Sequence, residues 1–240
     1  STPKPSSAAS DVYKRQGREI VTAARRVVDA AVAKDNIKIE WIEQKAGGEA
    51  IDAYGEPLLA DTIKACEAAH AVLLGAVGGP QWDDVAPAIR PEKAILGLRK
   101  ALGLFCNLRP VRIFKALQEY SPLKPELVQD VDFVIVRELT GGIYFGEREE
   151  AQGEGPNELA WDKETYHRYE IERIMDVAIE TAGKRRGKVT SVDKANVLAS
   201  SRLWRKIAQE KAQANPEIAM DYLYAVSYTH LRAHETGAYL

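Results

Sequence analysis

Helical and strand periodicities alternate along the chain. Residues 19–33 carry apolar side chains that recur every three or four positions, which predicts an amphipathic helix. Residues 37–41 alternate isoleucine and tryptophan with charged residues, which predicts a half-buried strand. The apolar run at 71–76 predicts a second strand that ends in a Gly-Gly-Pro turn.

The same alternation continues through the rest of the chain. Helices are predicted over residues 61–69, 92–102, 164–181 and 198–213, and strands over residues 105–114, 132–138, 188–193 and 218–225. The polar, glycine-bearing segment 146–162 is too long for a tight turn. Strands separated by helices favour an α/β fold with a mainly parallel sheet.

Both ends of the chain lack this periodicity. Residues 1–16 are rich in serine, proline and alanine, and residues 226–240 fit no period. We interpret both as non-native tails outside the fold. Disordered native termini are the alternative.

Composition and charge mainly exclude several classes of protein. The 240 residues include 33 lysines and arginines against 35 acids, a net charge of -2. This balance excludes a general nucleic-acid coat and a polybasic membrane binder, and no apolar run is long enough to span a bilayer. Cys66 and Cys106 lie far apart in the sequence, so neither a disulfide framework nor a zinc site is predicted, and we expect a reduced, cytoplasmic compartment.

One predicted helix combines an acid, two aliphatic residues and an arginine on a single face. Glu92, Ile95, Leu96 and Arg99 follow the spacing i, i+3, i+4, i+7. This stripe suits a pocket wall that meets a branched aliphatic group and a carboxylate together. Alternatively, the helix packs Ile95 and Leu96 into the core while Arg99 extends to water.

Three arginines stand in or beside predicted strands: Arg109, Arg112 and Arg137. A strand arginine is costly to bury without a partner, and a guanidinium binds a carboxylate through two parallel hydrogen bonds. These arginines therefore suit a di- or tricarboxylate substrate. Pairing with a neighbouring acid such as Glu138 is the alternative, and we favour it for Arg112.

Tyr144 and Lys194 are candidates for proton transfer. Tyr144 follows the glycine pair Gly141-Gly142, which lets the backbone approach a ligand closely, although a core or interface tyrosine is the alternative. Lys194 directly follows a predicted strand, the usual location of active-site groups in α/β proteins, although a solvated surface lysine is the alternative. The three-glycine dinucleotide fingerprint is absent from the sequence.

Four motifs in order carry a family resemblance: LLGAVGGPQWD, PEKAILGLRKALGLFCNLRPV, VRELTGGIYFGE and SVDKANVL. Over residues 17–225 the chain resembles the isocitrate/isopropylmalate dehydrogenase family. Ile95 and Leu96 point to its isopropylmalate branch, because polar groups would be expected there for the extra carboxylate of isocitrate.

The resemblance implies a two-domain α/β fold. It places an incomplete cofactor-binding domain at residues 17–104 and a substrate and dimerisation domain at 105–225. An arm at about 147–161 interlocks two protomers of a homodimer.

The implied activity is the oxidative decarboxylation of 3-isopropylmalate to 4-methyl-2-oxopentanoate in leucine biosynthesis, with NAD and Mg²⁺ or Mn²⁺ as cofactors. Homoisocitrate, isocitrate and tartrate dehydrogenases, and a catalytically silent regulatory subunit of the same fold, are the alternatives.

The resemblance also assigns roles to individual residues. Arg99, Arg109 and Arg137 bind the malate carboxylates, and Ile95 and Leu96 meet the isopropyl group together with Val197 of the other subunit. Tyr144 protonates the enol, while Lys194, with Asn196, acts across the dimer interface to remove the hydroxyl proton. The nicotinamide half of NAD contacts Gly78, Gly79, Pro80, Gln81, Trp82 and Glu92.

Two departures from the family pattern bear on activity. The family's opening GDGIGPE turn is reduced to GRE at residues 17–19. Val226 stands where the strand MDYLYA should continue into a metal-binding aspartate. We therefore expect a fragment that lacks the metal aspartates and is inactive by itself.

Overall fold

The computed structural model describes the backbone of residues 7–35 and 37–225. The predicted tail at 226–240 lies outside the described residues, as does the beginning of the tail at 1–16. The chain divides into two compact units between Gly103 and Leu104.

The first unit is helical in its regular structure. Its α-helices are α1 (Ser7–Val32), α2 (Gly48–Tyr54), α3 (Ala60–Ala68) and α4 (Glu92–Ala101). The helices predicted at 61–69 and 92–102 are confirmed within one residue at each end. Helix α1 begins well before the predicted start at residue 19 and runs into the predicted tail.

The strands predicted at 37–41 and 71–76 are wrong. Neither segment pairs with another strand among the described residues. Their apolar side chains are largely exposed, as at Ile37 and Leu73. A strand exists only where a neighbour completes its backbone hydrogen bonds, and these two segments have no such neighbour in the described part of the first unit.

The second unit contains the strands and the buried core. Its strands are β1 (Cys106–Arg112), β2 (Asp132–Glu138), β3 (Arg148–Gln152), β4 (Leu159–Asp162), β5 (Lys188–Asp193) and β6 (Ala219–Tyr224). Its α-helices are α5 (Pro125–Val128), α6 (Arg168–Gly183) and α7 (Ala199–Ala214). The strands predicted at 105–114, 132–138, 188–193 and 218–225 are therefore confirmed, and helix α6 begins four residues later than predicted.

The expectation of a mainly parallel sheet is wrong for the described residues. Strands β1 and β2 form an antiparallel pair, β3 and β4 form another, and only β5 and β6 pair in parallel. A parallel pair needs a long crossover, and helix α7 supplies one between β5 and β6. The link from β1 to β2 carries the 3-10 helix Lys115–Tyr120 and the one-turn helix α5, and β3 continues into β4 through a short turn.

The core of the second unit lies where helices α6 and α7 cover strands β5 and β6. Ile171 and Met175 are one helical turn apart on α6, and they pack with Ile207 and Ala208 of α7. Met220 of β6 packs against this cluster. The core therefore joins α6, α7 and β6, and β6 in turn pairs with β5.

Among the described residues, no helix combines the length and the apolar character needed to cross a bilayer.

Candidate active site

The antiparallel pair β1–β2 gathers basic side chains on one face. Asn107 lies opposite Arg137, and Arg109 lies opposite Ile135, so the two arginines are diagonal neighbours. Nε of Arg109 donates a hydrogen bond to Oδ1 of Asn107 at 2.7 Å. Among the described residues of this unit, no carboxylate lies within ion-pair distance of Arg109 or Arg137. The face is suited to an incoming carboxylate.

Glu138, the alternative partner for Arg137, is buried and bonded to other groups. It pairs with Arg173 at 2.8 Å and accepts hydrogen bonds from the backbone N–H groups of Thr140 (2.9 Å) and Gly141 (2.7 Å). The expected alternative that Arg137 pairs with Glu138 is therefore wrong. Sequence patterns do not reveal this bonding, because Arg173 lies 35 residues further along the chain.

Arg112 lies on the opposite face of the pair from Arg109, directly across from Asp132. A hydrogen bond from Arg185 lowers the pKa of the Asp132 carboxyl, and the charge of Arg112 adds to this effect. The neighbouring acid thus offers Arg112 a local electrostatic partner, as expected.

Tyr144 lies close to Arg137. The guanidinium carbon of Arg137 is 5.6 Å from the centroid of the Tyr144 ring, within the range of a cation–π contact. The Tyr144 side chain is 56% exposed, so it is not a core residue and its hydroxyl is accessible. The structure therefore brings together one predicted carboxylate-binding residue and the predicted acid.

The backbone before Tyr144 rests on Tyr166. Gly142 has φ +78°, and a Cβ there would lie 2.5 Å from the Tyr166 hydroxyl oxygen. The Gly142 N–H donates to the carbonyl oxygen of Thr165 at 2.8 Å. Burial raises the pKa of Tyr166 to about 12, with a further contribution from the charge of Glu138. Sequence reasoning missed Tyr166, since only the glycine pair hinted at a close approach.

Lys194 directly follows strand β5, and its backbone begins a tight turn. Its carbonyl oxygen accepts hydrogen bonds from the N–H groups of Val197 and Leu198, both at 2.9 Å. Lys194 is half-buried, whereas Asn196 is exposed and Val197 is 60% exposed.

Within the described second unit, no hydrogen bond, ion pair or ring contact joins Lys194, Asn196 or Val197 to Tyr144, Arg109 or Arg137. The structure thus leaves these two groups of predicted site residues separate within one chain.

A buried ion pair fixes the strand end next to Lys194. Nε and Nη2 of Arg205 donate to the two carboxylate oxygens of Asp193, at 2.8 and 3.0 Å. Asp193 also accepts a hydrogen bond from the Ala195 N–H at 2.9 Å. Arg205 is the second residue that sequence reasoning missed, because it lies a helical turn and a half inside α7.

In the first unit, helix α4 buries a different face from the predicted stripe. The buried positions of α4 are Ala94 and Leu98, whereas Ile95 and Leu96 are only half-buried. Ile95 and Leu96 are therefore not among the fully buried positions of the helix, and both keep part of their surface exposed. In the same stripe Arg99 is half-buried and Glu92 is exposed.

The predicted cofactor segment folds into a short turn beside α4. Pro80–Trp82 forms one 3-10 turn; Gly78, Gly79 and Trp82 are half-buried, while Pro80 and Gln81 are exposed. A Cβ on Gly78 would lie 3.1 Å from Oε1 of Glu92, so the Glu92 carboxylate lies next to the backbone of Gly78. A carboxylate in such a place fits the ribose hydroxyls of a dinucleotide.

The indole of Trp82 contacts other residues of the first unit. Its Nε1 donates to Oδ1 of Asp52 at 3.0 Å, and its ring packs against Gly48. Trp82 therefore supports the turn from within the unit.

The described residues do not by themselves fit a divalent cation. No group of three or more histidine, cysteine, aspartate or glutamate side chains among them is arranged to hold a metal ion.

Comparisons with known proteins cover most of the chain. The family model for isocitrate/isopropylmalate dehydrogenase matches residues 14–232. The chain is 51% identical over 209 residues to the 3-isopropylmalate dehydrogenase of Clostridium pasteurianum. It is also 51% identical over 208 residues to that of Listeria innocua. Each of these alignments covers 87% of this chain, which spans 58% of the relative's length.

Solved structures with the same fold come from the same group of enzymes. Isocitrate dehydrogenase from Methylococcus capsulatus superimposes with a TM-score of 0.70 at 28% identity, covering 92% of this chain and 61% of that chain. A beta-decarboxylating dehydrogenase from Thermococcus kodakarensis gives a TM-score of 0.64 at 28% identity, with 92% and 58% covered.

Proposed function

This chain belongs to the isocitrate/isopropylmalate dehydrogenase family, and from that premise we propose that it forms part of an NAD-dependent 3-isopropylmalate dehydrogenase of leucine biosynthesis. The observation that carries the proposal is the β1–β2 face, where Arg109 and Arg137 lie together, no carboxylate of the described second unit pairs with either, and Arg137 contacts Tyr144. The reaction oxidises the C2 hydroxyl of 3-isopropylmalate, releases carbon dioxide and leaves 4-methyl-2-oxopentanoate.

The arginines bind the two carboxylates of the malate group. Arg109 and Arg137 project from the same face, and each planar guanidinium can donate two parallel hydrogen bonds to one carboxylate. Arg99 of helix α4 adds a third guanidinium to the proposed site. Because Glu138 is bonded to Arg173, it does not neutralise Arg137.

The isopropyl group determines which family substrate is accepted. Ile95 and Leu96 are half-buried rather than packed in the core of their unit, so their side chains remain available to an apolar group. Val197 of the partner subunit, which is 60% exposed in this chain, completes the apolar contact. Isocitrate carries a carboxylate at this position. That carboxylate would find no hydrogen-bonding side chain among Ile95, Leu96 and Val197.

Tyr144 and Lys194 transfer the protons. Lys194, supplied with Asn196 by the partner subunit, accepts the proton of the C2 hydroxyl as a hydride leaves C2. Loss of carbon dioxide breaks the bond between C3 and its carboxylate, and the electrons of that bond form an enolate whose charge lies on the C2 oxygen. Tyr144 then donates a proton to C3, and the nearby positive charge of Arg137 stabilises the phenolate that remains.

Two cofactors belong to the proposal. NAD, when bound, accepts the hydride, and its nicotinamide half is held by Glu92 and the segment Gly78, Gly79, Pro80, Gln81 and Trp82. Mg²⁺ or Mn²⁺ is the proposed metal. The described residues provide no ligand set for it, so none of the steps above is assigned to a metal.

The proposed assembly is a cytoplasmic homodimer. The hairpin formed by β3 and β4 is exposed at every residue, including the apolar Leu159 and Trp161. An exposed hairpin with apolar side chains is suited to pair with the same element of a second chain. This hairpin coincides with the arm expected at 147–161.

A hybrid enzyme tests the function. Residues 17–225 replace the matching segment of the Clostridium pasteurianum 3-isopropylmalate dehydrogenase, and NADH formation is measured with 3-isopropylmalate, isocitrate, homoisocitrate and tartrate. We expect a clear preference for 3-isopropylmalate, and we expect Tyr144→Phe or Lys194→Ala to abolish most of the turnover. Tyr120→Phe is the matched control, because Tyr120 is 78% exposed and belongs to none of the four motifs.

Three outcomes would contradict the proposal. A preference for isocitrate, homoisocitrate or tartrate would replace the substrate assignment. Full turnover in the Tyr144→Phe hybrid would remove Tyr144 from the chemistry. A hybrid that folds and binds 3-isopropylmalate without turning it over would favour a regulatory subunit.

A further inference from the structure

Arg148 connects the arm hairpin to the backbone of Tyr144. It is the first residue of strand β3, and its Nη2 donates hydrogen bonds to the carbonyl oxygens of Ile143 (3.0 Å) and Tyr144 (2.6 Å). These bonds hold the two peptide units that flank the Cα of Tyr144. The backbone from which the tyrosine side chain projects is thus held by a residue of the arm.

The same guanidinium also joins the two strands of the hairpin. Nε of Arg148 lies 3.6 Å from Oδ1 of Asp162, the residue directly opposite in strand β4. Arg148 therefore bridges three chain segments: both strands of the arm and the turn that carries Tyr144.

The base of the arm has little space to move independently. A Cβ on Gly146 would lie 1.8 Å from the carbonyl oxygen of Lys163, so the backbones are in close contact there. The Lys163 N–H donates to the Glu147 carbonyl oxygen at 2.8 Å. A displacement of the hairpin is consequently transmitted to the residues that precede it.

Tyr144 has few other restraints of its own. Its side chain is 56% exposed, and its one ring contact among the described residues is with Arg137 at 5.6 Å. Without the two bonds from Arg148, the segment after Gly142 would keep the Gly146 N–H···O=C bond to Gly142 as its main backbone restraint.

We propose that Arg148 is a positioning residue for Tyr144, through which the arm hairpin sets the orientation of the proton donor. The role of Tyr144 as donor rests on the proposed function; the positioning itself does not. An arginine is required because two carbonyl oxygens and a carboxylate are reached by one planar group with several fixed donors, a geometry that lysine cannot reproduce.

The positioning is tested on the 240-residue chain by spectroscopy. A fluorinated tyrosine is incorporated at position 144 alone, and its fluorine NMR resonance is recorded in the parent chain and in Arg148→Ala and Arg148→Lys. We expect both substitutions to shift and broaden the resonance, because Tyr144 then samples several orientations over Arg137. Circular dichroism melts identify any variant that has lost its fold.

Lys163→Ala is the matched control. It removes the exposed ion pair between Lys163 and Glu147 at the same base of the arm, and it touches neither carbonyl oxygen bonded by Arg148. We expect the resonance to be unchanged in this variant. An unchanged resonance in folded Arg148→Lys, or an equal change in Lys163→Ala, would overturn the proposal.

The hybrid enzyme separates this inference from the proposed function. There, Arg148→Lys should lower kcat on the order of 10²-fold, as expected for a misplaced catalytic group, with KM little changed. If Tyr144→Phe leaves turnover intact while Arg148→Lys still alters the resonance, the donor assignment fails and the positioning stands. If Tyr144→Phe abolishes turnover and Arg148→Lys changes neither kcat nor the resonance, the positioning fails alone.

Discussion

Glu138 and Asp193 have the same role at two places in the second unit. Each is the last residue of a strand, each is buried, and each is paired with an arginine that a following helix supplies. Each also accepts hydrogen bonds from backbone N–H groups of the turn that follows the strand. These carboxylates thereby fix the turns that lead to Tyr144 and contain Lys194.

Removal of one such carboxylate should destabilise the fold. We expect Asp193→Ala to lower the free energy of unfolding by about 3 kcal/mol, because the Arg205 guanidinium, whose side chain is only 20% exposed, loses its partner. Urea denaturation measures the change. Asp176→Ala, which breaks the more exposed pair with Lys211, should cost about 1 kcal/mol or less. Equal losses in the two variants would show that the Asp193 pair is not effectively buried.

The proposed role of Arg137 in substrate binding gives a kinetic prediction. In the hybrid enzyme, Arg137→Lys should reduce kcat/KM by roughly 30- to 1,000-fold, on the order of 2–4 kcal/mol, because an ammonium group loses the two-bond geometry. Arg112→Lys, on the other face of the same strand pair, is the control. Unchanged kinetics with a lowered melting temperature would instead assign Arg137 a structural role.

Tyr166 makes the stability of the second unit depend on pH in the alkaline range. Its pKa is raised from 10.0 to about 12, so folding favours the protonated phenol. The stabilisation is fully present below pH 10 and is lost as the pH rises towards 12. Urea unfolding across this interval should show a steeper loss of stability in the parent chain than in Tyr166→Phe. Parallel pH profiles would contradict the burial of this phenol.

The turn between β2 and β3 depends on glycine at one position above all. Gly142 combines φ +78° with a contact to the Tyr166 hydroxyl that leaves no room for a Cβ. It also connects the strand that carries Arg137 to the segment that carries Tyr144. The turn therefore joins the two parts of the candidate site, Arg137 on β2 and Tyr144 after it.

A methyl group at Gly142 should disturb this element. We expect Gly142→Ala to lower the free energy of unfolding by about 1–3 kcal/mol, from backbone strain and the displaced Tyr166 ring. Gly183→Ala at the end of α6 is the control, because a Cβ there meets nothing within 4 Å. It should be neutral or slightly stabilising. A neutral Gly142→Ala would mean that the turn relaxes freely.

The sequence predicted elements well where a segment determines its own structure. Strand β2 at 132–138 was predicted to the residue, because its apolar run is bounded by charged residues. The segments at 37–41 and 71–76 failed, because a strand also needs a neighbour, which local periodicity does not specify. Periodicity gave no strands for the β3–β4 hairpin, since exposure on both faces leaves no apolar alternation to detect; only the family resemblance indicated an arm at about 147–161.

The candidate site was predictable as a set of residue types but not as an arrangement. The sequence motifs identified Arg109, Arg137 and Tyr144 as candidate site residues. Their proximity depends on the register of β1 against β2 and on the contact between Arg137 and Tyr144. The bonding of Glu138 to Arg173 could not be inferred, because it joins residues whose proximity is created only by the fold.

At the scale of the whole chain, the two units differ in how their apolar residues are buried. The second unit contains the fully buried Ile171, Ile174 and Ile207, which lie between helices α6 and α7 and strands β5 and β6. In the first unit, apolar residues of the two unpaired segments, such as Ile37 and Leu73, are 55% and 44% exposed.

This difference should be visible in amide hydrogen exchange. We expect the slowest exchange in α6, α7 and β5, because their N–H groups are bonded within the buried core. Amides of residues 37–46 and 70–79 should exchange fastest among the described segments outside the turns, since no strand ladder protects them. Mass spectrometry of exchanged peptides measures this. Strong protection of residues 70–79 would reveal strand pairing that the structure does not contain.

The anchoring of the arm at its base makes the other end of the hairpin a permissive point for engineering. Gly153 and Gly155, both at positive φ, form the tip, and the restraints from Arg148 and Gly146 lie at the opposite end. Lengthening a flexible loop costs only about 0.6 kcal/mol for each doubling of its length. A peptide or an affinity tag inserted at this tip should therefore leave the backbone around Tyr144 unchanged within one chain, whereas a loss of dimer in that variant would show that the tip itself contacts the second protomer.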